Sequence, residues 1–250
     1  MSGHSKWKTI KHKKGVVDAK RGQLFTKIAR EITVAARQGA PDVSGNVRLR
    51  FAVQKARDNN MPMDNVERAI NKGAGLTQDA SILEELTYEG YGPGGAAILV
   101  QALTDNRNRT VSDIKHVFAK AGGNLAATGS VSWIFDSAGV MIVERLELDE
   151  AELIALEAID SGVDDFTVES GLLEMHMDPT YFDSIRLIIE SKGSDVTSAE
   201  LSMIPKNTVS LGSSDSQSTL KLLDNLEDLD DVQKVFTNAD FDEAVLDQYM

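Results

Sequence analysis

Charge divides this chain near residue 75. Residues 1–75 hold 16 Lys and Arg against 6 Asp and Glu, a net of +10; residues 76–250 hold 10 against 33, a net of −23. The overall charge of −13 hides this polarity. Hydrophobic periodicity changes at the same place, from helical repeats alone to strands alternating with helices. The chain therefore reads as a basic module that meets a polyanion, carried on an acidic body. Its 250 residues suffice for one to three domains, each with its own core.

Several chemistries are excluded at the outset. There is no Cys, so disulfides, thiolate zinc, iron–sulfur clusters and a thiol nucleophile are absent. The longest purely apolar run, 96–100, is far short of the ~20 residues that span a bilayer. No apolar signal segment follows the basic N-terminus, so a cytoplasmic protein is expected. The four His (His4, His12, His116 and His176) have no ligand-spaced partners; the last two read as half-buried structural residues. No P-loop, kinase or nucleophile-elbow motif occurs. An enzyme, a metal, a cofactor, a small-molecule substrate and a membrane partner are not expected.

Residues 1–22 form a basic arm. Lys6, Lys8, Lys11, Lys13, Lys14, Lys20 and Arg21 face a single acid, Asp18, and apolar residues are too sparse to bury a face. Such a run is suited to phosphates. Three helices follow. Over 23–38, Leu24, Phe25, Ile28 and Ile32 recur at helical steps, with Lys27, Arg30 and Arg37 off the stripe. Over 46–58, Leu49, Ala52, Val53 and Ala56 form the buried stripe, flanked by Arg48 and Lys55 on one border and Arg50 and Arg57 on the other. These cations could meet phosphates or lie over the edge of the core. A third helix over 64–72 has Asp64 and Glu67 at capping-box spacing and Gly73 as its stop. Residues 73–80 read as a linker.

Strands are expected at 82–88 and 96–104. Between them, Gly90-Tyr91-Gly92-Pro93-Gly94-Gly95 matches G-x-G-x-x-G. The dinucleotide fingerprint needs a helix next, and a strand follows instead, so a hairpin loop is the reading. Residues 105–109 lead into a helix in which Thr110 and Asp113 have capping-box spacing. Asn106, Arg107, Asn108 and Arg109 at its start, with Tyr91 in the hairpin, form a candidate second contact or simply a polar approach to the helix. A strand at 130–135 comes next. From 140 the order is β-α-β-β-α-β, which is ferredoxin-like, with Leu153, Leu156, Ala158 and Ile159 on its first helix and Phe182, Ile185, Leu187, Ile188 and Ile189 on its second. After a Ser/Thr-rich return, a last helix at 219–236 is expected to complete the middle strands.

Certain segments together carry a family resemblance: Gly3-His4-Ser5-Lys6-Trp7, Asp18-Ala19-Lys20-Arg21-Gly22, Asn59-Asn60-Met61-Pro62, Tyr88 to Gly95, Thr104 to Thr110, Gly122-Gly123-Asn124-Leu125 and Met203-Ile204-Pro205. In order along the whole chain, they resemble the YebC/PmpR family. The resemblance implies an α+β protein of three domains around a cleft: an N-terminal three-helix module, a discontinuous α/β middle domain and an inserted ferredoxin-like domain. On this sequence these are residues 23–78 behind the arm at 1–22, 79–135 with 207–250, and 136–206. It also implies a cytoplasmic, probable transcriptional regulator that binds DNA. Mitochondrial relatives activate translation of cytochrome c oxidase subunit I, and bacterial members are linked to ribosomes stalled at proline-rich stretches. The chain starts at the family's first motif, with no transit peptide before it, which points to the bacterial type.

Two functions are therefore expected: a DNA-binding transcriptional regulator, or a ribosome-associated factor on ribosomal or transfer RNA. In either, the nucleic-acid contacts fall on Lys6, Trp7, Lys8, Lys11, Lys13, Lys14, Lys20, Arg21, Lys27, Arg30, Arg48, Arg50, Lys55 and Arg57. Trp7 would stack on an unpaired base or pack against the first helix. No helix with a base-reading row of Arg, Asn or Gln stands out in the pattern.

Overall fold

The computed structural model describes residues 18–77, 83–144, 146–169 and 171–249. Lys6, Trp7, Lys8, Lys11, Lys13 and Lys14 lie outside the described residues, as do residues 78–80 of the expected linker. The fold is mixed α+β. Contacts divide it into two compact units: residues up to Phe135 and from Pro205 onward make one, and Asp136–Ile204 the other.

The first unit opens with α1 (Asp18–Gln38), which takes in residues 18–22 that the charge pattern assigns to the arm. Asp, Ala, Lys and Arg there are tolerated in a helix, and an acid suits its first turn. The next helix, α2 (Val47–Asp58), is capped by Asn46, whose side chain accepts from Leu49 N at 3.0 Å and donates to Ala35 O and Ala40 O at 2.8 Å each. One amide thus closes the end of α1 and starts α2. In α3 (Met63–Gly73), the N-cap is Pro62, with no side-chain hydrogen bond. Asp64 lies inside the first turn and is not the expected cap. Ile28, Ile32, Leu49, Val53 and Val66 form the shared core. Gly73 does more than stop α3: a Cβ there would sit 2.4 Å from Thr33 O and 2.7 Å from Ala36 Cβ. Its missing side chain lets α3 touch α1.

Strands β1 (Glu84–Tyr91) and β2 (Ala97–Thr104) pair antiparallel, with Glu84 opposite Thr104 and Tyr91 opposite Ala97. The turn is a 3₁₀ segment, Pro93–Gly95, in which Gly94 has φ +68°. The glycine motif thus reverses a hairpin. Next, α4 (Arg107–Lys120) is capped by Asn106, which accepts from Arg109 N at 3.1 Å. Thr110 lies buried inside the helix, not at its cap as the spacing predicts. Strand β3 (Asn124–Leu125) pairs with β1.

The strand expected at 130–135 does not form. Its N–H groups point to a buried carboxylate: Glu89 accepts from Gly129, Val131 and Ser132 at 2.7, 2.6 and 2.9 Å. With those donors engaged, Ser132–Ile134 closes as a 3₁₀ turn.

The second unit holds β4 (Phe135–Glu144), α5 (Leu148–Asp160), β5 (Val163–Glu169), β6 (Leu172–Met177), α6 (Phe182–Ser191) and β7 (Val196–Pro205). Its sheet runs β5-β6-β4-β7, with β6 antiparallel to both neighbours, which is the ferredoxin-like arrangement. The buried face of α5 is Ala151, Ile154, Ala155 and Ala158; Leu148, Leu153, Leu156 and Ile159 are exposed. The expected face is therefore rotated. Three alanines let the helix axis approach the sheet closely, and leucines would hold it away. On α6, Leu187 is likewise exposed, while Phe182, Ile185 and Ile189 face inward.

Past Pro205, the first unit resumes with β8 (Val209–Ser210), α7 (Ser213–Glu227), β9 (Val232–Thr237), β10 (Ala239–Asp240) and α8 (Glu243–Tyr249). The single helix expected over 219–236 is instead α7 followed by β9. Leu226, Leu229 and Val232 keep helical spacing across the break, which disguises it. Val232, Val235 and Phe236 suit a strand, and β2 offers an edge to pair with. The sheet runs β3-β1-β2-β9. Ile98, Val100, Ile114, Phe118, Leu220, Leu223, Leu226 and Leu246 form the core beneath α4 and α7. On β2 the alternate Leu103 packs with Val34 of α1. Among the described residues no helix is long and apolar enough to cross a membrane.

Candidate nucleic-acid interface

Asp231 organises the meeting of the helical module with the sheet. It is 6% exposed, just ahead of β9. Arg30 of α1 lies 3.0 Å from its Oδ1, and Arg109 of α4 lies 2.8 Å from its Oδ2. The hydroxyls of Thr104 and Thr110 donate to Oδ2 at 3.1 and 2.8 Å. Burial pushes the Asp231 carboxyl up, but these donors outweigh it and hold the carboxyl below its ordinary range. Glu89 follows the same balance, with backbone N–H groups as the donors.

This clamp and its neighbours engage many of the nominated cations. Lys27 donates to Glu227 O at 2.5 Å and Arg30 to Asp230 O at 2.6 Å. Arg48 forms a forked pair with Glu85, 2.8 and 3.0 Å, holding that carboxyl low. Lys55 pairs with Glu31 at 3.3 Å. Arg50 also has an interaction within the protein. Arg37, read only as off the stripe, donates to Leu83 O. Arg21 is exposed, its guanidinium 5.8 Å from the centre of the Phe25 ring. Arg57 is exposed and makes no ion pair among the described residues. Lys20 lies in α1, and its side chain is outside the described residues.

At the candidate second contact the groups are also engaged. Tyr91 OH donates to Ser130 O at 3.0 Å, Asn106 caps α4, and Arg107 lies 3.5 Å from Glu84. Arg109 joins Asp231 and Asp105, and Asn108 is exposed. The adjoining cleft of about 500 Å³ holds Arg30 and Arg109 among five aspartates, so acid outweighs base in it. His116, expected to be half-buried, is exposed, because Ile114 and Phe118 carry the inward face of α4. His176 is half-buried, 2.7 Å from Glu174 Oε1.

A second concavity, about 400 Å³, runs between α1 and α3. Phe25 and Ala29 line it from α1, and Met61 from the turn before α3. Asn65, Arg68 and Lys72, at i, i+3 and i+7, line it from α3. Residues at that spacing share one helix face. Neither Arg68 nor Lys72 makes an ion pair among the described residues. Sequence reading passed over all three because it treated α3 by its apolar stripe alone. The signal was present in the spacing of two cations and an amide on the opposite face.

Comparison with known proteins covers almost the entire chain. The model described as the TACO1/YebC protein N-terminal domain matches residues 5–76, and the TACO1/YebC second and third domain matches residues 83–239. A protein of Dehalococcoides mccartyi named a probable transcriptional regulatory protein is 56% identical over 249 residues, covering 100% of this chain and 98% of the relative. One of Syntrophus aciditrophicus with the same name is 47% identical over 248 residues, 99% of each chain. The crystal structure of a conserved hypothetical protein from Aquifex aeolicus superposes with a TM-score of 0.83 at 44% identity, covering 93% of this chain and 96% of that one.

Proposed function

The chain belongs to the TACO1/YebC family, and from that premise we propose that it is a DNA-binding regulator of transcription acting in the cytoplasm. The observation that carries the reading is the segregation of charge. The first 75 residues have a net of +10 on an otherwise acidic chain. Arg57, Arg68 and Lys72 of the helical module have no carboxylate partner among the described residues. Relatives with half or more of the residues identical are named probable transcriptional regulatory proteins, and that name supports DNA as the source of the phosphates.

In this mechanism the arm residues Lys6, Lys8, Lys11, Lys13 and Lys14 and the side chains of Lys20, Arg21, Arg57, Arg68 and Lys72 neutralise phosphates. Counterions released from the strand supply the driving force. The paired Arg30 and Arg48 hold the module against the sheet. The acidic remainder repels the phosphate backbone and confines contact to the module. With six to eight phosphates neutralised, binding is expected to fall ~10³-fold or more between 50 and 200 mM salt. Removal of residues 1–17, which takes away the five arm lysines, is expected to lower that slope by about half. A titration of duplex DNA against salt checks both, and an affinity indifferent to salt refutes the electrostatic reading.

A second reading, contact with ribosomal or transfer RNA, draws support from the groove between α1 and α3. Its apolar walls suit an unpaired base better than the edge of a duplex. Crosslinking in living cells, followed by sequencing of the attached nucleic acid, separates the two. Discrete promoter DNA supports the transcriptional reading; ribosomal or transfer RNA replaces it.

A further inference from the structure

We propose that the groove between α1 and α3 is a site for one unstacked nucleotide of a single strand. The inference rests on the nucleic-acid reading above and specifies which form of strand the helical module holds. Two kinds of surface meet in the groove. Phe25 and Ala29 of α1, with the buried Met61, make an apolar wall and floor. Asn65, Arg68 and Lys72 make a polar lip along α3. A nucleotide has the same division, a flat base and a charged phosphate. The base loses water against the apolar side, while Arg68 and Lys72 receive the phosphate. The amide of Asn65 carries both donors and an acceptor, which is what the edge of a base requires. Arg21, its guanidinium 5.8 Å from the centre of the Phe25 ring, stands outside the groove lining.

The geometry disfavours a duplex in this groove. At Gly73 the two helices are in backbone contact, and the groove lies on the Phe25 and Met61 side of that contact. A space of about 400 Å³ holds one nucleotide, within the ~300–1,000 Å³ of small-molecule sites, and is too small for stacked pairs. Arg30, on the same wall, is already held by Asp231. The groove's unpaired positive charge therefore stands on the α3 side, and this sets the direction in which the nucleotide lies.

The test uses the full chain and fluorescence anisotropy with labelled strands of about ten nucleotides. Oligothymidylate is compared with an abasic strand of equal length and with the matching duplex. The single strand with bases is expected to bind about ten-fold or more tightly than the abasic strand. Arg68→Ala with Lys72→Ala is expected to weaken both strands. Ala29→Leu, which fills the groove without altering charge, is expected to remove the advantage of the bases and leave abasic binding unchanged. Asn65→Ala gives the same comparison should Ala29→Leu fail to fold by circular dichroism. Oligouridylate with ribose or deoxyribose identifies whether the strand is RNA or DNA, and a base-dependent affinity with either sugar supports the site. Equal binding of abasic and intact strands, or a duplex bound as tightly as the single strand, overturns the proposal and leaves the nucleic-acid reading standing. If no strand binds in a salt-dependent way, that reading falls as well.

Discussion

At the scale of single residues, a buried acid decides more than the exposed bases do. Asp231 receives two guanidinium groups and two hydroxyls, so removing its charge leaves several donors without an acceptor. Asp231→Asn is expected to destabilise the fold by about 2 kcal/mol or more, seen as a lowered denaturation midpoint with little change in slope. The pH dependence has a definite sign. The folded carboxyl lies below its unfolded value, so its contribution is complete above the ordinary carboxylate range near pH ~4 and is lost as pH falls through the lowered value. Glu89 acts in the same direction. Denaturation midpoints measured from neutral to acidic pH should fall in the wild type and fall less in Asp231→Asn; parallel curves would refute this linkage. Cations such as Arg48 and Lys55 were visible in the sequence as candidates. Their partners, Glu85 and Glu31, lie 37 and 24 residues away, and no local pattern joins them.

At the scale of elements, close approach explains what periodicity alone missed. Gly73 sits where a side chain would collide with the backbone of α1. Gly73→Ala should therefore lower thermal stability, although alanine favours helices by ~1 kcal/mol over glycine; a stabilised variant would refute the packing account. Helix α5 turns its three alanines to the sheet and leaves Leu153 and Leu156 outside, because a close helix–sheet contact favours small side chains over large ones. Segment 130–135 has a strand-like composition, yet a carboxylate from β1 captures its N–H groups. Glu89→Gln is expected to loosen this segment first, seen as faster amide exchange at Val131 and Ser132 ahead of global unfolding. Helix α2, expected over 46–58 and found at Val47–Asp58, was legible because its apolar stripe of Leu49, Ala52, Val53 and Ala56 is a local signal.

At the scale of the molecule, the chain leaves the first unit after Phe135 and returns to it at Pro205. Lys206 N donates to Ile134 O at 2.8 Å, so the two strands of the neck are already joined inside the first unit. Replacement of 136–204 by a short glycine–serine linker is therefore expected to leave the first unit folded, with the far-ultraviolet signal and cooperative melting of a native α+β domain. Loss of a cooperative transition would show that the units depend on each other. The α+β class, the division of charge, the helical module and the β-α-β-β-α-β order follow from the sequence by itself. Each is carried by local periodicity or by a sum over residues, and neither depends on knowing neighbours in space. Tertiary structure alone decided that β9 completes the first sheet, which cations are neutralised at Asp231 and Glu85, and that Asn65, Arg68 and Lys72 face an apolar wall on α1. Those outcomes are pairings between residues distant along the chain, and burial and hydrogen-bond satisfaction, which select among such pairings, exist only once the chain is folded.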